Sequence, residues 1–264
     1  MDESKMQNSI STQGNVSQKK VILAGTVGNA IEWFDWTIYA TFAVFFAKQF
    51  FPSDDPTASL LATFAIFAVG FFMRPLGGIV LGIFSDRYGR KAALAATIIM
   101  MAGGSLMIGL SPTYESIGIF APIILVLARL LQGLSLGGEF ASAATYLSEM
   151  APKNKRGFYS SFMFFSSAIG ILMASGLAWA LTSSLTETQM SEYGWRIPFI
   201  LGAIGGLVGM WIRKSVPDSE MTHKKESVKN PLAVLIKRHP KETLRIVGIS
   251  ILTTFAFYIF VVYV

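Results

Sequence analysis

Long apolar runs separated by short polar intervals set the rhythm of this chain. The runs cover about 21–47, 60–84, 92–111, 118–147, 158–182 and 197–213, and a seventh starts near 245 and continues to the last residue. A helix rises ~1.5 Å per residue, so about 20 apolar residues cross a hydrocarbon core of ~30 Å. The pattern therefore predicts six complete membrane-spanning helices and part of a seventh, an all-α polytopic bundle. The polar intervals alternate in character. "FPSDDP", "SPTYES" and "TSSLTETQMSEYGW" are acidic or neutral and carry Pro and Ser as turn residues. The segments 1–20, 85–91, 151–157 and 213–245 hold eighteen of the twenty-two Lys and Arg. That bias places the second set, and with it the N-terminus, on the cytoplasmic side.

Composition agrees with a membrane protein. The 264 residues are 52% hydrophobic and 14% charged, with a mean hydropathy of +0.52, where soluble domains carry about 25% charged residues. The net charge of +6 is accounted for by loops facing an anionic leaflet, so nucleic acid is not needed as a partner. The sequence has no cysteine, which excludes disulfides, thiolate metal sites and cysteine nucleophiles. His223 and His239 fall in one polar segment and read as solvated side chains rather than metal ligands, and no cofactor is implied. The polar lead Met1–Lys20 does not read as a signal peptide. The predicted organisation is a cytoplasmic tail over 1–20, a six-helix domain over 21–213, a cytoplasmic linker over 214–244 and an incomplete seventh helix over 245–264. Within the linker, "PLAVLIKRHPKETL" reads either as a short amphipathic interfacial helix or as the approach to the seventh span.

Four charges fall near the middle of the runs. Glu32 and Asp35 stand in "GNAIEWFDW" of the first span, Arg74 in the second and Arg129 in the fourth. An ionised side chain near the bilayer centre costs about 2.5–3.5 kcal/mol on insertion scales. Helical spacing puts Asn29, Glu32, Asp35, Trp36 and Tyr39 on one stripe, and Arg129, Gln132 and Glu139 on one face of the fourth span. All four charges lie near the midplane, which makes them partners for one another. Two readings stand: a static salt-bridged clasp, or a proton-responsive site in which protonation of an acid frees an arginine to hold an anionic solute. Trp33 reads as a packing aromatic, whereas Trp36 and Tyr39 either pack or line a cavity. Glycines such as Gly77, Gly78, Gly82, Gly103 and Gly104 read as helix-contact positions, and Gly133, Gly137 and Ala141 as a small-residue face. Neither a filter loop for a channel nor a nucleophile–base set for an enzyme is present.

The loop after the second span, "GIFSDRYGRK" (Gly82 to Lys91), has a glycine at position 89 that permits a left-handed turn and an acid at 86 beside Arg87, Arg90 and Lys91. It resembles the G-x-x-x-D-R-x-G-R-K signature of the major facilitator superfamily. "GNAIEWFDWTIYA", "RLLQGLSLGGEFASAATYLSEMAPKNKRG" and "YGWRIPFILGA" are similar to the metabolite:proton symporter branch, whose members carry proline and betaine, α-ketoglutarate, citrate or shikimate. The resemblance implies two inverted three-helix repeats facing a second domain of the same design. It implies symport of a small polar or anionic organic solute with protons across the cytoplasmic membrane. Asp86 would close the cytoplasmic side, Arg90 would pair with Glu149, and Arg156 would join them; simple loop electrostatics is the alternative. Glu32, Asp35, Arg74 and Arg129 occupy positions of coupling and binding groups, with Asp35 slightly favoured over Glu32 as the proton carrier. Family members continue for roughly six more helices, so this chain would be the N-terminal half of a carrier or, alternatively, a truncated fragment inactive in transport.

Overall fold

Asp55 opens the second helix: its side chain accepts a hydrogen bond from Thr57 N at 2.8 Å, and Pro56 follows in the first turn, where the missing N–H costs nothing. Such local signals, set between apolar runs, define the elements of the computed structural model, which describes residues 18–214, 238–257 and 259. The helices are α1 (Gln18–Phe50), α2 (Pro56–Tyr88), α3 (Arg90–Leu110), α4 (Phe120–Met150), α5 (Arg156–Ser184), α6 (Arg196–Lys214) and α7 (Pro240–Phe257). One-turn pieces at Tyr114–Ile117 and Glu187–Gln189, and a π-helical turn at Met190–Gly194, fill connections. The first six long helices correspond to the six predicted spans. Most extend a few residues beyond the apolar run, because polar ends continue the backbone ladder past the hydrocarbon limit. The seventh begins at Pro240 rather than near 245, a proline start being compatible with a free first turn. The tail up to residue 17 and linker residues 215–237 lie outside the described residues.

The chain divides into two units, Met1–Lys224 and Lys225–Val264. α7 belongs to the second, where Thr243 Oγ1 donates to His239 O at 2.8 Å.

In the first unit α1 packs against α5, α6, α2 and α4, while α4 packs against α2 and α3. The α2–α4 contact brings backbones together. A Cβ at Gly133 would meet the Gly70 carbonyl, one at Gly137 the Arg74 carbonyl, and one at Gly77 the Leu134 carbonyl. The small face predicted on α4 is thus the seam with α2. Gly103 and Gly82 differ from expectation: open space lies where their side chains would be.

Two apolar clusters lie at opposite ends of α1. Phe42, Phe46 and Phe50 pack with Trp195 and Phe199 at one end, and Val21 and Ala24 pack with Leu94, Leu147 and Tyr159 at the other. Between them lies a polar layer. Outward, Phe72, Leu172, Trp179 and Trp211 are more than two-thirds exposed, the inverse of a water-soluble surface. Among the described residues five helices, α2 to α6, are long and apolar enough to cross a membrane. α1 is 33 residues long but carries its acids in mid-helix.

Candidate transport site

The polar layer is built from the α1 stripe. Asn29, Glu32, Asp35, Trp36 and Tyr39 are all buried. Asn29 ties α1 to α5, its Nδ2 donating to Met163 O and to the hydroxyls of Ser166 and Ser167, each at 2.8 Å.

Of the two acids on the α1 stripe, Asp35 is the more engaged. Ser105 Oγ of α3 donates to Oδ1, Gln132 Nε2 of α4 donates to Oδ2 at 2.6 Å, and Arg129 Nη1 lies 3.7 Å from Oδ2. Both Asp35 and Arg129 are 0% exposed.

Arg129 is held by much less. Its Nε, Nη1 and Nη2 have no hydrogen-bond partner among the described residues. Its guanidinium instead lies over Tyr39, 3.6 Å from the ring centroid, with Trp36 and Phe67 each at 5.7 Å. Tyr39 is stacked on Phe67 and donates its hydroxyl to Thr63 O at 2.9 Å. Arg74 approaches the same aromatics, 4.2 Å from Phe71 and 4.7 Å from Trp36. Two guanidiniums therefore share the Trp36 ring, whose Nε1 is buried without a hydrogen-bond partner among the described residues. Cation–π contacts of this desolvated kind contribute about 2 kcal/mol each, less than a full set of charge-assisted hydrogen bonds. The donors of Arg129 are unspent.

Glu32 lies in the field of Arg74, Glu139 and Asp35, and its buried Oε2 makes no hydrogen bond among the described residues.

Glu139 was expected on the face of Arg129 and Gln132, and it pairs elsewhere. Its partner is Arg213 of α6, with Thr97 Oγ1 of α3 also donating to it. This corrects the placement of Arg213 among loop charges: α6 runs to Lys214, so Arg213 stands in its last turn, 3% exposed and turned into the bundle. A signal for this was present, since Gly202, Gly206, Gly209 and Arg213 make one buried stripe at helical spacing. Ser105, Thr97, Phe67 and Phe71 are also site neighbours that the sequence reading passed over.

The expected gating loop lies at the α2–α3 junction. Gly89 takes φ 97°, a conformation that favours glycine, and breaks one helix from the next. Arg90 lies 3.5 Å from Asp86 and 4.0 Å from Glu149, and donates to Ser85 Oγ at 3.0 Å. Asp86 is half-exposed and Arg87 exposed, and Gly82 faces open space. Arg156 does not join the cluster: it begins α5 as a solvent-exposed residue and makes no ion pair among the described residues. Lys91 Nζ donates to Lys214 O at 3.0 Å, tying this loop to the end of α6.

Residues 21–260 match the sugar (and other) transporter family. The chain is 44% identical over 252 residues to the inner membrane metabolite transport protein YhjE of Escherichia coli, covering 94% of this chain and 57% of that one. It is 38% identical over 242 residues to the alpha-ketoglutarate permease of the same organism, covering 92% and 56%. The chain thus spans a little over half the length of these relatives. Among solved structures, a D-xylose-proton symporter superposes with a TM-score of 0.68 at 21% identity, over 85% of this chain and 53% of that one. The partially occluded inward-open form of the xylose transporter XylE from E. coli gives 0.70 at 19% identity, over 84% and 51%. These likenesses establish the fold, the N-terminal half of a major-facilitator bundle. The chain is a multi-pass membrane protein, not an enzyme, and belongs to the sugar (and other) transporter family of the major facilitator superfamily.

Proposed function

We propose that this chain is the N-terminal half of a carrier that moves a small anionic or zwitterionic organic solute together with protons across the cytoplasmic membrane, its N-terminus in the cytoplasm. The observation that carries the reading is the state of Arg129. A wholly buried guanidinium with no hydrogen bond from any of its three nitrogens among the described residues, held by one carboxylate at 3.7 Å and an aromatic face, is in surplus of donors. A buried donor without a partner costs about 1–3 kcal/mol, so a carboxylate arriving there would be bound strongly. Protonation of Asp35 would weaken its hold on Arg129 and release the fork to the solute, which links proton and solute in one step. Glu32, next to Arg74 and between two buried ion pairs, is the second acid able to take up a proton. Trp36 and Tyr39 supply the walls, and Gln132 holds Asp35 in place. Relatives named for metabolite and alpha-ketoglutarate transport support a carboxylate-bearing solute. Alternating access needs a second half to close the cavity.

The test compares gradient-driven accumulation with counterflow exchange for Asp35→Asn and Glu32→Gln in the carrier completed by its second half. Asp35→Asn is expected to abolish accumulation while leaving exchange. Full proton-driven accumulation in both mutants would reduce the acid stripe to a helix clasp, the alternative reading.

A further inference from the structure

The bundle contains two buried arginine–carboxylate pairs, and they differ in how their donors are used. Arg129, in the first, has no hydrogen bond from any of its nitrogens among the described residues. Arg213, in the second, donates from every one of its nitrogens. Its Nε donates to Ala24 O of α1 at 3.0 Å, Nη1 to Leu94 O of α3 and to Glu139 Oε2 at 3.3 Å, and Nη2 to Glu139 Oε1. One guanidinium thus joins α1, α3, α4 and α6, and Thr97 closes the ring onto Glu139.

On α1 the contact points follow one face. Ala24 supplies the carbonyl. Gly28, one turn on, lies so close to the pair that a Cβ there would meet Glu139 Oε1 and Arg213 Nη2. Glu32 is the next residue of that face, one further turn on. A helix held both by a carbonyl and by a close approach at its bare glycine is not free to rotate about its axis. Rotation by one residue, about 100°, would carry Glu32 and Asp35 off the direction of Arg74 and Arg129.

We propose that Arg213 and Glu139 are positioning residues: a hydrogen-bonded clasp that fixes the rotation of α1 and so the direction in which Glu32 and Asp35 face. The consequence for transport rests on the reading of those acids given above; the rotation itself does not. Glu139 thereby leaves the set of groups that exchange with solute or proton, and Arg213 enters the account of the site.

The absence of native cysteine makes the test direct. A Cβ built at Gly205 of α6 meets only Ile31 Cγ1 of α1, at 4.0 Å. The pair Ile31→Cys/Gly205→Cys, introduced into the full chain in membranes, reports the native rotation through oxidative or short bis-thiol cross-linking. The pair Ala30→Cys/Gly205→Cys reports rotation by one residue, since Ala30 is the neighbouring position about 100° around α1 and no Ala30 atom lies within 4 Å of a Cβ at Gly205. In Arg213→Ala the Ile31 pair is expected to lose at least threefold in cross-linking yield while the Ala30 pair gains. Arg213→Lys, which keeps the charge without the planar fork, is expected to show the same exchange to a lesser degree. Should Arg213→Ala fail to accumulate, Arg213→Lys decides. If both pairs fall together, or neither changes, the clasp is a stabilising contact with no positioning role and the proposal is overturned. The readout needs no transport, so its failure is separable from failure of the symport reading.

Discussion

Arg129 lies over the Tyr39 ring, its guanidinium carbon 3.6 Å from the ring centroid, while the Tyr39 hydroxyl donates to the Thr63 carbonyl at 2.9 Å. The ring serves Arg129 through its π face and the rest of the bundle through its polar tip. Tyr39→Phe is therefore expected to cost about 1 kcal/mol of stability and to leave the apparent affinity for solute within about twofold. Tyr39→Leu removes the face and is expected to weaken apparent affinity roughly tenfold or more, corresponding to about 1.4–2 kcal/mol. Uptake kinetics of the completed carrier separate the two. Equal behaviour of Leu and Phe at this position would show that the ring face contributes nothing.

The α2–α4 seam has no room for side chains at its crossing points. Gly133→Leu would drive a branched side chain into the Gly70 carbonyl, and the backbones must part to admit it. A loss of about 3 kcal/mol is expected, read as a lower melting temperature and a smaller monodisperse fraction in detergent. Gly103→Leu, where open space lies, is the matched control and should leave both unchanged.

At the α2–α3 junction, Asp86→Asn and Arg90→Ala are expected to reduce transport at least severalfold while membrane insertion and yield stay at the parent level. Arg90 bridges Asp86 and Glu149, so its loss severs the link between α2 and α4 at this end. Uptake at the parent rate by both variants, at equal expression, would return the loop to ordinary topogenic charge.

Orientation is tested by single cysteines at Ser11 and Ser227. Both are expected to react with a membrane-impermeant maleimide only after the cytoplasmic face is opened. Labelling of intact cells at these positions would invert the assignment.

The helices were legible because run length and polar interruption report span and loop directly, and the acids of "GNAIEWFDW" were conspicuous in an apolar run. Which charge pairs with which was not legible. Depth along a span can be estimated from helix rise, but two arginines at comparable depth on different helices compete for the same acids, and only the packing of α6 against α1 and α3 assigns Glu139 to Arg213. Arg213 itself was hidden by its neighbour. Next to Lys214 at the end of an apolar run it has the look of an anchoring loop cation, although the glycine stripe preceding it points inward. Arg156 erred the other way, a family expectation placed on a residue whose position at the exposed start of α5 gives it water instead of an acid. Trp36 and Tyr39, open between packing and lining, are packed on Phe67 and face the arginines at once.

The burial of two acids in α1 also has a consequence for the order of assembly. α1 is made first, yet the cation that answers Asp35 is in α4, on the order of a hundred residues later, which at roughly 5–20 residues per second is several seconds or more of synthesis. During that interval α1 carries two acids in mid-helix without the arginine that pairs with Asp35. Its membrane integration is thus a collective event, completed when the later helices arrive with their arginines. In a nascent chain arrested before Arg129, a cysteine placed at Ala30 in mid-α1 is accordingly expected to be reachable by a membrane-impermeant maleimide, and in one arrested after α6 to be shielded.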